Sequence, residues 1–152
     1  LCRMGQDLYL VDETGTVIDQ FGPQYSEFDL PIIDGLVPPS PRGAKAKAWI
    51  DPGRAELASR VIASLARSQQ IASRLSQVDV SDAHDAVVLL DGDSALLHLG
   101  DDKFLERVQS YLELSPALRE RVADIDYVDL RFDPRVYVRP AAERGPNSSP
   151  RR

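Results

Sequence analysis

The sequence predicts an α+β domain: a single curved, mainly antiparallel sheet with two main helices packed on it and a C-terminal edge hairpin. Three observations carry this expectation. Residues 125–140 alternate, with Val128, Leu130 and Phe132 against Tyr127, Asp129 and Arg131, then Val136 and Val138 against Arg135, Tyr137 and Arg139. A period of two over that length fits two half-buried strands, turned at Asp133-Pro134. Two other segments carry apolar residues at helical spacing: Leu57, Val61, Ile62 and Leu65 in one, Phe104, Leu105, Val108, Tyr111 and Leu112 in the other. Finally, Asp91-Gly92 between the apolar runs 87–90 and 95–99 is a strong hairpin signal.

The elements follow in order. Residues 6–11 and 16–21 flank Asp12-Glu13-Thr14-Gly15, which predicts strand, turn and strand, with Gly15 supplying a positive φ. Asp12 and Glu13 suit that turn better than a metal site. Leu30-Pro31 followed by Ile32-Ile33 predicts an extended segment, and residues 37–41 a stiff Pro-rich connector. Asp51-Pro52 opens the first helix as N-cap and first helical residue, with Trp49 stapled against it. Residues 74–80 predict a strand with Val78 and Val80 inward. Gly100-Asp101-Asp102 caps the second helix, over 103–114. Ser115-Pro116 then starts a separate short helical segment with Leu118 and Val122 inward. Residues 141–152 lack apolar periodicity and read as a disordered tail.

Composition excludes several functions. The chain has 152 residues, 43% of them hydrophobic, enough for one ordinary core. A net charge of −6 argues against non-specific nucleic-acid binding, which needs a basic face. The single cysteine, Cys2, rules out an internal disulfide and a Cys-rich zinc site. No apolar run is long enough to span a bilayer. The chain starts at Leu1 rather than Met, as a piece of a longer protein does. Nucleophile-elbow, phosphate-loop and His-Glu-x-x-His motifs are absent, so neither an enzyme nor a cofactor is expected. The rival from another class is an acidic-site metal-dependent hydrolase using Asp91, Asp93 and His98. The favoured reading is a scaffold: a terminal strand at a sheet edge carries unpaired backbone groups that another chain can use.

Four pieces of the chain resemble the extracytoplasmic β domain of the FtsQ/DivIB cell-division family. They are Leu10-Val11-Asp12-Glu13-Thr14-Gly15, Leu30-Pro31 through Gly35, Leu97-His98-Leu99-Gly100 with the helix behind it, and Tyr127-Val128-Asp129-Leu130-Arg131-Phe132. The resemblance spans residues 8–139. It implies a β domain over residues 5–140, with 1–4 closing a preceding POTRA domain. It also implies a non-enzymatic divisome protein of the inner membrane, anchored by one helix outside this chain, with this domain in the periplasm. Its partners would be FtsB and FtsL, and FtsB would add a strand to the last strand of the domain. Arg131 matches a family arginine that pairs with a partner glutamate, and Phe132 an aromatic that contacts the partner. Two alternatives stay open: Arg131 pairs with Asp129 within the chain, and Phe132 is core. Pro134 and Pro140 depart from the family pattern, which carries Ser and Trp there. Arg135, Val136, Tyr137, Val138 and Arg139 complete the candidate partner-binding set, because they form the presumed edge strand. A second rival is an interaction domain of some other envelope assembly.

Overall fold

The computed structural model describes residues 1–37, 49–132 and 135–141. In chain order its elements are β1 (Cys2–Met4), β2 (Asp7–Val11), β3 (Val17–Gln20), a 3-10 turn (Pro23–Tyr25), β4 (Ile32–Asp34), α1 (Pro52–Leu65) and the one-turn α2 (Gln69–Ala72). There follow β5 (Leu75–Asp82), β6 (Asp85–Leu90), β7 (Leu96–Gly100), α3 (Phe104–Arg121), β8 (Ile125–Asp129) and β9 (Tyr137–Pro140). The strands make one sheet in the order β3-β2-β1-β4-β5-β6-β7-β8-β9. The expected Pro-rich connector, the Asp133-Pro134 turn residues and the tail beyond residue 141 lie outside the described residues.

The sheet is mixed. Antiparallel pairings predominate, but β1–β4, β4–β5 and β7–β8 are parallel. Two of these have a simple cause: α1 carries the chain from β4 to β5, and α3 carries it from β7 to β8. A helical crossover returns the chain in its original direction. The helices cover one face. Alternate residues Val78, Val80, Val88, Leu90, Leu97, Leu99 and Val128 are buried there against Leu57, Val61 and Leu65 of α1 and Val108 and Tyr111 of α3. Opposite them, the other face carries Val87, His98, Asp129 and Tyr137 in one row across four strands.

Local chemistry explains most element ends. Asp12 folds the β2–β3 turn by accepting from the Thr14 and Thr16 amides at 2.9 Å each, and Gly15 takes φ 85°. Asp51 caps α1 by accepting from the Arg54 amide at 3.1 Å, with Pro52 at the first helical position. Three expectations need correction. Trp49 is 55% exposed, and Ile50, one residue closer to the cap, packs on the core instead. The cap residue of α3 is Lys103 in a left-handed conformation (φ 50°), with no side-chain cap bond, rather than Asp101 or Asp102. Ser115-Pro116 starts no new helix, because α3 runs through Pro116 to Arg121. Proline forfeits one backbone bond there, but a tie bridges it. Asp93 accepts from the Tyr111 hydroxyl and from Arg119, both at 2.5 Å, one on each side of Pro116. Residues 1–4, expected to close a separate domain, contribute β1, which sits between β2 and β4.

Tyr111 is fully buried, and burial, followed by the hydrogen bond to Asp93, raises its pKa. Burial is also the largest influence on Asp93 and opposes its charge. The bonds from Tyr111, the Ala95 amide and Arg119 together win, and hold the carboxyl below its ordinary value. Replacing Asp93 with Ala strands a buried hydroxyl, so a loss of about 1–3 kcal/mol is expected, several degrees of Tm for a domain this size. Thermal denaturation of Asp93→Ala checks this. Tyr111→Phe, which leaves the Asp93–Arg119 pair intact, should cost less.

Candidate partner-binding edge

β9 is the last strand of the sheet. It pairs antiparallel with β8, Tyr127 opposite Arg139, Val128 opposite Val138 and Asp129 opposite Tyr137. Before it, the Arg135 amide donates to the Phe132 carbonyl at 2.7 Å, and the ladder continues past it through the Ala141 amide on the Asp124 carbonyl at 2.9 Å. The Leu130 amide donates to His98 of β7 at 3.0 Å. Main-chain groups alternate direction along a strand, so Val128 also points to β7, and Tyr127 and Asp129 point to β9. Tyr137 and Arg139 therefore face inward as hydrogen-bonded pairs. Val138 turns its N–H and C=O outward, where no strand is present among the described residues. Pro140 shares that outward parity but has no N–H, so the row of donors ends there.

The side chains sort as their alternation predicts. Val136 and Val138 are half-buried against the core, while Arg135, Tyr137 and Arg139 are exposed. Phe132 does not continue the apolar parity of Val128 and Leu130. β8 ends at Asp129, and Phe132 stands 55% exposed, its ring 5.9 Å from that of Tyr137 in an edge-on contact. The core alternative for Phe132 is thereby excluded. Arg139 lies 5.8 Å over Tyr127, and its contact to Asp126 is loose at 3.9 Å. On the helix side of the edge, Lys103, Glu106, Arg107, Ser110, Leu130, Arg135 and Val136 enclose a small recess of about 60 Å³.

Arg131 sits at the root of this hairpin. Its Nε and Nη2 bind the two oxygens of Asp129 at 2.9 and 2.6 Å, and its Nη1 lies 3.3 Å from Asp85. Asp85, buried, also accepts from the Gly100 amide at 3.0 Å and meets His98 Nδ1 at 2.8 Å. The His98 ring meets Tyr127 edge-on at 5.2 Å. From α3, Arg107 donates to the carbonyls of Leu99, Asp102 and Arg131. The Arg131 hydrogen bond is the main reason the Asp129 carboxyl is held below its ordinary range. The same bond raises the guanidinium pKa. The arginine is further capped by Phe132, whose ring centre is 5.3 Å away.

The sequence reading missed Asp85, His98 and Arg107 as members of this cluster. His98 had a signal, being polar between two buried leucines. Asp85 had none, since its partners lie on β7 and just past the end of β8. The hydrolase set is not brought together: Asp93 binds Tyr111 and Arg119 on the helix side, and His98 binds Asp85 on the opposite face. No group of three potential metal ligands occurs among the described residues. A larger cavity of about 320 Å³ lies far from β9, between α1 and Val11, Leu30 and Ile33.

Residues 1–131 match the family model described as Cell division protein FtsQ/DivIB, C-terminal. A curated relative, Cell division protein FtsQ of Koribacter versatilis (strain Ellin345), is 31% identical over 143 residues, covering 91% of this chain. The chain spans 39% of that relative's length.

Two outcomes follow from the Arg131 cluster. Arg131→Ala should cost about 1–3 kcal/mol, because it leaves Asp129 and Asp85, both buried, short of a donor. Chemical denaturation measures this. Stability should also fall in acid. Asp93 and Asp129 both have folded values below 3.8, so their contribution is complete above that value and is lost as pH falls through the lower folded ones. A midpoint that does not move as pH falls from 3.8 downward would contradict the assignment.

Proposed function

The chain belongs to the FtsQ/DivIB family of cell-division proteins, and from that premise we propose that it is a non-enzymatic divisome scaffold. It binds FtsB and FtsL, accepting an FtsB strand on β9, in support of septum formation and septal peptidoglycan synthesis. The longer protein is held in the inner membrane by a single helix outside this chain, with this domain in the periplasm. No helix among the described residues is long and apolar enough to cross a membrane.

The observation that carries this reading is the outward backbone of Val138 on an edge strand. An extended segment laid there gains main-chain hydrogen bonds, and its alternate side chains fall on two different surfaces. On one side they meet Val136 and the recess against α3. On the other they meet Tyr137, 50% exposed, and Phe132 beside it. Exposed aromatics of this kind serve as anchors at interfaces. Arg135 and Arg139 supply positive charge for an acidic segment, which favours association and correct register more than raw affinity.

The backbone parity gives a sharp test. Val138→Pro removes an outward N–H and leaves the β8–β9 ladder whole, since proline is tolerated where the lost donor faces solvent. Binding of an FtsB peptide taken from just beyond its coiled coil should weaken about fivefold or more, the scale of one hydrogen bond plus the clash of the ring. Arg139→Glu should weaken it too, and more so at low salt. Calorimetric titration reads both, with melting curves to show that the variants fold. Wild-type affinity in two folded variants would remove β9 as the site.

A further inference from the structure

Among the described residues the sheet has two open edges, and they carry opposite charge. No Lys or Arg occurs between Arg3 and Arg42, whereas Asp12, Glu13, Asp19, Glu27 and Asp29 lie in β3 or beside it in the chain. β3 is the outermost strand at that end, and no strand covers it among the described residues. All four of its residues are exposed, Ile18 at 66%. The other end is β9, with Arg135 and Arg139 exposed; Arg139 meets Asp126 only loosely, at 3.9 Å, and Arg135 has no acidic partner among the described residues.

Strand direction adds a second, independent constraint. Between β3 and β9 the sheet reverses direction at five antiparallel pairings and keeps it at three parallel ones. An odd number of reversals makes the two edges antiparallel to each other. A second copy in the same orientation, moved sideways along the sheet with its helices on the same side, therefore brings its β3 antiparallel to β9 of the first. Antiparallel pairing is the more stable kind. The strands match in length, four residues each. We propose that the occupant of the β3 edge is a second copy of this chain, joined head to tail through β9.

Such a contact is heterologous, so it leaves one basic and one acidic edge free and does not close at two copies. It uses the same open β9 edge as the partner-binding reading, and an FtsB segment on β9 would compete with it. The β3 surface belongs to self-association alone, so the two readings can fail separately.

The test is sedimentation velocity over rising concentration. Wild-type protein should show a weight-average mass that climbs past a dimer, and less so at high salt. Ile18→Lys and Val138→Pro should each be monomeric alone. Mixed in equal amounts they should form a dimer and stop there, because each supplies the edge that the other has lost. Ile18→Lys should leave binding of the FtsB peptide unchanged. If Val138→Pro does not fold, Arg139→Glu replaces it. Monomer at every concentration overturns the proposal. So does a dimer that resists Ile18→Lys, which would be a symmetric contact through β9.

Discussion

Arg131 fixes the C-terminal hairpin to the rest of the sheet, and the candidate edge depends on that attachment. Two carboxylates, Asp85 at the start of β6 and Asp129 at the end of β8, are buried on the face without helices. Each would be costly alone, since a buried charge must be paired and hydrogen-bonded. The planar guanidinium meets Asp129 through two parallel bonds, the geometry in which arginine is strongest. From the far side, Arg107 ties the Leu99 and Arg131 carbonyls to α3. The chain thus leaves β8 in a set direction, and the placement of Phe132 follows from it.

What comes after is a compromise between an open edge and a safe one. A free edge strand invites any extended chain, and folded proteins limit that risk with short strands, charge and proline. β9 has all three: four residues, Arg139 on its exposed face, and Pro140 at its end. These features narrow the open stretch to the Val138 main chain and leave shape and charge around it to choose the partner. β3, equally short and wholly exposed, is guarded by carboxylates instead. The two ends of one sheet therefore reject like and admit unlike partners, on electrostatic grounds alone.

The local part of this architecture was legible in the sequence. Alternation gave the inward set Val78, Val80, Val128 and Val138, and the turn residues placed Gly15 and Gly92, because those signals lie within a few residues. The edge position of β9 was also readable, since a last strand after a hairpin has one neighbour supplied. Signals that act across the fold were not readable. Pro116 reads as a helix start, and only the Tyr111–Asp93–Arg119 tie from the β6–β7 turn explains why α3 continues through it. The sequence likewise left Arg131 between two roles, because Asp129 is visible two residues away and Asp85 is not.

Charge counting now separates those roles. Two carboxylates, Asp129 and Asp85, stand within reach of the Arg131 guanidinium, and every nitrogen of that guanidinium already faces one of them. An acidic partner residue brought to this spot would meet Asp85 and Asp129 at close range and would have to draw Arg131 from bonds that hold the hairpin in place. Breaking such bonds costs more than a new surface pair returns, because exposed ion pairs contribute little. Arg135 and Arg139 face the opposite situation. They are exposed; among the described residues Arg135 has no acidic partner, and the contact of Arg139 to Asp126, at 3.9 Å, is loose enough to exchange. Under the proposed binding of an acidic strand, recognition would fall to the edge arginines, and Arg131 would act by keeping the edge where they can reach it.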